Sequence, residues 1–193
     1  MRRAGPARIR HPRSLQYNRR VALHRGNLFL VGLMGAGKST LGRQLARRLG
    51  KRFIDADAEL ERRLGVTIAT IFEVEGEASF RDREQAMIEE LTGLEDIVLA
   101  TGGGAVMRAA NRTRLNENGT VIYLYAEPET LWQRIHGGRN RPMLQAPDPR
   151  SRLVELFALR DPLYREIADH VIESDREAVL RFVRQLDGNA HAG

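Results

Sequence analysis

Eight residues early in the chain, Gly32-Leu33-Met34-Gly35-Ala36-Gly37-Lys38-Ser39, fit the spacing G-x-x-x-x-G-K-[ST] in full. Glycines at those positions let successive backbone N–H groups turn inward around phosphate oxygens. A helix starting at Lys38 aims its positive end at the same point. Lys38 is expected to reach the β- and γ-phosphates of a nucleotide, and the Ser39 hydroxyl to ligate Mg²⁺. The pattern predicts nucleotide binding without fixing the reaction, since GTPases, motor ATPases and small-molecule kinases share it. No N-K-x-D guanine reader occurs, which counts against a GTPase. The apolar run 97–100 continues into Thr101-Gly102 with no Asp at its end, so the magnesium carboxylate must come from elsewhere.

Three further groups carry chemistry. Asp55-Ala56-Asp57 follows the apolar pair Phe53-Ile54. Alternation along an extended segment points both carboxylates the same way. One can then hold Mg²⁺ through water and the other take the proton of an alcohol; alternatively, one caps the helix that follows. Arg81 and Glu84 stand about one helical turn apart, which alone reads equally well as a surface ion pair worth under about 1 kcal/mol. Gly102-Gly103-Gly104 permits very close approach of a ligand and offers N–H groups to an anion, or makes a plain tight turn.

These groups need a frame that brings them together. Leu28-Phe29-Leu30-Val31 reads as a buried parallel strand. Leu41, Leu45, Ala46 and Leu49 fall at helical spacing, and Gly50 ends that helix. Phe53-Ile54, 97–100, Val121-Ile122-Tyr123-Leu124 and Val171-Ile172 are four more short strands. Two or three helices cover 57–93, with Leu60, Leu64, Ile68, Ile71 and Phe72 on their apolar faces. A helix opens at Glu127-Pro128 and runs to Ile135, another spans 151–160, and 176–187 closes the fold before a short tail at 188–193. Residues 137–150 hold two Gly, three Pro and three Arg and read as a mobile loop. Strands alternating with helices predict an α/β fold: a three-layer α-β-α sandwich around a five-stranded parallel sheet. Ligands in such sheets bind beyond the carboxyl ends of the strands, where the phosphate loop, Asp55–Asp57, Gly102–Gly104 and the neighbourhood of Arg134 all fall.

The chain has 193 residues, which fits one domain able to bury about 70% of its unfolded surface. Its net charge of +6 is misleading as a single number. Residues 1–26 contain eight arginines and no acidic residue, so that segment carries +8 and the remainder −2. A basic face for nucleic acid across the globular part is therefore not expected. The segment reads as a disordered arm, a weak polyanion-binding arm, or an organellar presequence; Ser14 alone is too little serine for the last. Cysteine is absent, which excludes disulfides, thiolate metal sites and a cysteine nucleophile, and fits a reducing compartment. No run approaches the roughly 18 apolar residues of a membrane span, and nothing suits a secretory signal. A cytoplasmic monomer is the expectation.

Taken in order, these segments resemble the shikimate kinase family. The resemblance rests on Gly-Leu-Met-Gly-Ala-Gly-Lys-Ser-Thr (32–40), Asp-Ala-Asp (55–57), Ile-Phe (71–72), Gly-Glu-Ala-Ser-Phe-Arg (76–81) and Leu-Ala-Thr-Gly-Gly-Gly-Ala-Val (99–106). It continues through Arg-Asn-Arg-Pro-Met-Leu (139–144) and Arg-Asp-Pro-Leu-Tyr-Arg (160–165), and so covers about 27–185.

The resemblance implies a P-loop fold like that of nucleoside monophosphate kinases over 27–187, with an acceptor-binding region at about 56–83 and a lid at about 137–150. It implies transfer of the γ-phosphoryl of ATP to the 3-hydroxyl of shikimate, on the chorismate route to aromatic amino acids, with Mg²⁺ as cofactor. Gly35, Ala36, Gly37, Lys38, Ser39 and Thr40 would hold the phosphates, Arg134 would stack near the adenine, and Arg141 would close over the phosphates from the lid. Asp57 would be the base and contact the acceptor hydroxyls. Arg81 and Arg160 would clamp the carboxylate, with Glu84 orienting Arg81 and Gly102, Gly103 and Gly104 lining the pocket. Ser39 and Asp55 would serve the magnesium. Without the family pattern, Arg141 reads as a solvated loop charge. Asp82, next to Arg81, is a possible competitor for its guanidinium. Two other functions fit parts of the pattern: a related small-molecule kinase such as a gluconate kinase, and a nucleotide-gated regulator using residues 1–26 to bind DNA.

Overall fold

A computed structural model describes residues 26–135 and 147–190. Residues 1–25, Arg139 and Arg141 lie outside the described residues, as does most of the expected lid. Five strands form one parallel sheet: β1 (Asn27–Val31), β2 (Arg52–Asp55), β3 (Ile97–Ala100), β4 (Gly119–Tyr125) and β5 (His170–Glu173), in the order β2-β3-β1-β4-β5. β1 is central and buried along its whole length, so both its faces must be apolar, which its Leu-Phe-Leu-Val run provides. Register pairs Leu30 with Ala100 on one side and with Ile122 on the other. The carboxyl ends of β1 and β3 therefore lie within one residue of each other, β4 runs two residues further, and the loops after the three become neighbours.

Helices cover both faces. α1 (Lys38–Leu49) buries Leu41, Gly42, Leu45 and Ala46 and ends where Gly50 turns left-handed, its N–H returning to the Ala46 carbonyl. α8 (Arg176–Ala190) packs on the same side, where its Phe182 ring lies 5.8 Å from that of His170. This helix runs three residues past the expected boundary at 187. α5 (Ala109–Asn118) and α7 (Pro149–Ile167) pack together on the opposite face, where Tyr123 meets Tyr164 with ring centroids 4.9 Å apart. The 57–93 region resolves into three helices: α2 (Ala56–Leu64), α3 (Ile68–Val74) and α4 (Gly76–Thr92). α6 (Pro128–Ile135) follows β4. Among the described residues no helix is long and apolar enough to cross a membrane.

Two further elements differ from expectation. α5 is almost wholly polar and buries only Asn111 and Leu115, so its sequence shows no apolar periodicity to detect. α7 is longer than the expected helix at 151–160 and runs through Pro162 to Ile167. An interior proline costs a helix about 3 kcal/mol. Leu153, Leu156, Arg160, Tyr164 and Ile167 form one continuous buried stripe across it, and that burial outweighs the lost bond.

Candidate active site

The phosphate loop joins β1 to α1 at the centre of the sheet. Gly32 has φ +139°, and a Cβ there would stand 2.6 Å from the Leu124 carbonyl oxygen, so only glycine fits. Gly35 has φ +81° and lies so close to α6 that a Cβ would meet Ile135 at 2.5 Å. Among the described residues no side chain caps α1, which leaves the N–H groups of its first turn, from Lys38 to Thr40, to an anion. Lys38 Nζ folds back along the loop and donates to the carbonyls of Gly32 (2.7 Å) and Leu33 (3.0 Å). Ser39 Oγ donates to Asp55 Oδ2 at 2.5 Å.

The acidic pair is brought to this loop, but not by strand alternation. β2 ends at Asp55, and Asp57 belongs to the first turn of α2. Asp55 does two jobs: its Oδ2 takes the Ser39 hydroxyl and its Oδ1 caps α2 by accepting from Ala58 N (3.3 Å). Asp57 is half-buried and faces the glycine run; a Cβ on Gly102 would lie 2.7 Å from its Oδ1. Burial, reinforced by the negative charges of Glu84 and Asp55 and opposed by Lys38, pushes the Asp57 carboxyl up to about 7.

Arg81 and Glu84 on α4 are 8% and 4% exposed, so they are no surface pair. Arg81 Nη1 donates to Glu84 Oε2 at 2.7 Å, and its Nη2 to Glu77 at 3.0 Å. Asp82 does not compete: it turns outward and accepts from Arg108 at 2.5 Å. Arg160, on α7, is 2% exposed and donates from Nη1 to the Gly103 carbonyl at 3.2 Å. Burial, with repulsion from Arg81 also acting, lowers its pKa. The glycine run is tight because charged groups occupy the space side chains would need. A Cβ on Gly102 would meet Asp57 and Glu84 at 2.7 Å, and one on Gly104 would overlap the Arg81 guanidinium.

These groups converge on a cleft of about 470 Å³ walled by Met34, Ile68, Phe72 and Phe80. Glu84 Oε1 and Arg160 Nε are buried there without a hydrogen-bond partner among the described residues. Buried polar atoms are ordinarily satisfied, so an orphaned donor and acceptor beside one cleft point to a polar ligand. A second cleft of about 350 Å³ opens at the carboxyl ends of β4 and β5 and is lined by Thr130, Arg134 and Asp175. Arg134 bridges it to the phosphate loop, donating to Ser174 Oγ (2.7 Å), the Ser174 carbonyl (3.0 Å) and the Gly35 carbonyl (3.4 Å). Sequence reasoning missed Ser174 and Tyr164, the latter donating to the Gly103 carbonyl. The signal for Tyr164 was its position four residues after Arg160 on the same helix face.

The oxygen donors at the loop fit a magnesium ion. Among the described residues no three His, Cys, Asp or Glu side chains cluster as metal ligands. Mg²⁺ needs no such cage, because it keeps several waters and takes one or two protein oxygens plus phosphates. Ser39 and Asp55 supply hard oxygens at that spot.

A parallel sheet of this order, a phosphate loop after its central strand and a charged acceptor cleft at the same edge define a P-loop small-molecule kinase. The gluconokinase of Sinorhizobium meliloti 1021 shares that fold (TM-score 0.50, 19% identity, covering 87% of this chain and 99% of that one), and at this identity the fold alone. A shikimate kinase of Acinetobacter baumannii, solved in complex with shikimate, superposes with TM-score 0.81 and 46% identity over 86% of this chain and 94% of that one. The shikimate kinase of Cupriavidus pinatubonensis (strain JMP 134 / LMG 1197) is 57% identical over 162 residues, 84% of each chain. The family model for shikimate kinase matches residues 34–187. The chain belongs to the shikimate kinase family.

Proposed function

We propose that this ATP-dependent kinase phosphorylates the 3-hydroxyl of shikimate, with the acceptor in the cleft between α2, α4 and α7. The observation that carries the reading is the pair of buried arginines, Arg81 and Arg160, on the wall of a cleft that also holds Asp57 next to the phosphate loop. Two guanidinium groups match a planar carboxylate, and Glu84 keeps Arg81 oriented. Asp57 takes the proton of the 3-hydroxyl as its oxygen bonds to the γ-phosphorus. The bond from that phosphorus to the bridging oxygen breaks, and ADP leaves. Lys38 and the amides of Gly35–Thr40 hold the phosphates throughout. Ser39 and Asp55 would hold the metal; Mg²⁺, when bound, neutralises charge on the transferring phosphoryl. Arg134 lies beside the base, and Arg141 closes over the phosphates from a lid at 137–150, which also excludes water as a competing acceptor. The acceptor-binding region is 56–83 within one kinase domain, and residues 1–26 and 188–193, which include the end of α8, lie outside the chemistry. The enzyme acts as a cytoplasmic monomer on the chorismate route and needs no nucleic acid.

The test is an ADP-release assay with ATP and Mg²⁺ against shikimate, quinate and gluconate. Saturable turnover with shikimate alone is expected. Turnover with gluconate in its place, or with none of the three, overturns the acceptor assignment.

A further inference from the structure

We infer that Tyr164 is a positioning residue for acceptor binding: its hydroxyl fixes the Gly103 carbonyl, and through it the guanidinium of Arg160. This rests on the reading of the cleft given above.

The glycine run has no side chains, so nothing can anchor it by packing. Its three carbonyls are instead taken one by one. The Gly102 carbonyl accepts from Ala105 N (3.2 Å) and the Gly104 carbonyl from Met107 N (2.9 Å), both within the local turn. The middle carbonyl, Gly103, has no such local donor. It accepts from two groups on α7, the Tyr164 hydroxyl at 2.5 Å and Arg160 Nη1 at 3.2 Å. A carbonyl oxygen has two lone pairs, so the two donors use both.

Arg160 has no carboxylate within hydrogen-bonding distance among the described residues, and its Nε is an orphan. Its guanidinium is therefore oriented by the Gly103 carbonyl and by the Tyr164 hydroxyl beside it. Were that carbonyl held by Arg160 alone, guanidinium and glycine run would drift together. A separate donor of fixed position prevents this, and Tyr164 has that property. It is fully buried, and its ring lies against that of Tyr123, whose hydroxyl is bound to Asp161 Oδ1 at 2.8 Å. Burial also keeps the Tyr164 phenol protonated, so it remains a donor.

Losing the hydroxyl leaves Arg160 as the only donor to the Gly103 carbonyl. The guanidinium settles onto that oxygen and turns away from an incoming carboxylate. In Tyr164→Phe the KM for shikimate should rise about three- to tenfold, the range expected for one lost hydrogen bond. kcat and the KM for ATP should stay within about twofold, because neither depends on Arg160. Since the effect runs through Arg160, adding Tyr164→Phe to Arg160→Gln should not raise the shikimate KM further. Tyr123→Phe removes a neighbouring hydroxyl of the same stack; it should lower the melting temperature and leave the shikimate KM unchanged. The proposal is overturned if Tyr164→Phe changes melting temperature alone, if it shifts both KM values together, or if its effect adds fully to that of Arg160→Gln. If Arg160→Gln itself leaves the shikimate KM unchanged, the clamp assignment beneath the proposal has failed.

Discussion

The phosphate loop and the acceptor cleft adjoin each other and are built in opposite ways. The loop is a continuous stretch from Gly32 to Thr40 whose working parts are backbone amides and one half-buried lysine. The cleft draws Asp57, Arg81, Glu84, the glycine run and Arg160 from four separate segments, and its charges are buried against one another. Trimming the Lys38 side chain takes away a charge meant for the ligand and two hydrogen bonds to loop carbonyls, and leaves no buried charge behind. Removing Arg81 or Glu84 also leaves its partner charged and uncompensated in the interior. Function is separable from stability at Lys38 and entangled with it at the buried pair of the cleft.

The largest effect expected is on turnover. Asp57→Asn should lower kcat by about 10²–10⁴-fold, the usual worth of a general base. In the unsubstituted enzyme kcat/KM for shikimate should fall as pH drops through about 7, where the Asp57 carboxyl takes up its proton. That acid limb should vanish in the variant. Stability should move the other way. The folded state binds this proton more tightly than the unfolded chain does, so stability declines as pH rises towards 7 and stays low above it. Asp57→Asn should therefore melt above the unsubstituted enzyme at pH 8, with the gain gone by about pH 4. A lower melting temperature at pH 8 contradicts the burial argument. Lys38→Met sharpens the contrast: turnover collapses and the melting temperature hardly changes.

Arg81→Met tests the entanglement directly. It leaves Glu84 buried without its ion-pair partner, and unfolding measurements should register a loss of about 3–5 kcal/mol. The KM for shikimate should rise as well. Weakened acceptor binding with full stability would mean that the pair carries no structural weight. The smallest effect belongs to Arg63, whose fork joins Glu59 on α2 (2.7 Å) to Glu90 on α4 (2.7 and 2.8 Å) in an exposed network. Arg63→Ala should lower the melting temperature by at most about two degrees and leave both KM values alone. A large kinetic effect would extend the cleft's dependence to the outer surface.

The same contrast governs what the sequence disclosed. The loop was legible because its chemistry is complete within nine residues and needs only a strand before it and a helix after it. The inner strands β1, β3 and β4 show as continuous apolar runs because they are buried on both faces, and the partly exposed edge strands β2 and β5 show only as apolar pairs. Asp57 was placed at the right edge of the sheet for the wrong reason: its carboxylate is aimed by the first turn of α2, not by an extended strand. α5 gave no signal because two buried side chains make no periodic pattern. α7 outruns the expected 151–160 because tertiary burial beyond Pro162 overrides the proline. Whether Arg81 faced water or the interior was undecidable from its spacing to Glu84, since a surface pair has the same spacing. Tyr164 shares a helix face with Arg160 four residues before it, but its own partner lies 61 positions away.

The glycine run has a pharmacological consequence. An inhibitor resting on the backbone of residues 102–104 touches a surface that has no side chains to exchange. Any substitution at Gly102 or Gly104 adds atoms, and those atoms run into Asp57 and Glu84 or into the Arg81 guanidinium. Escape from such a compound by mutation at these two positions would displace the same groups proposed to recognise the acceptor.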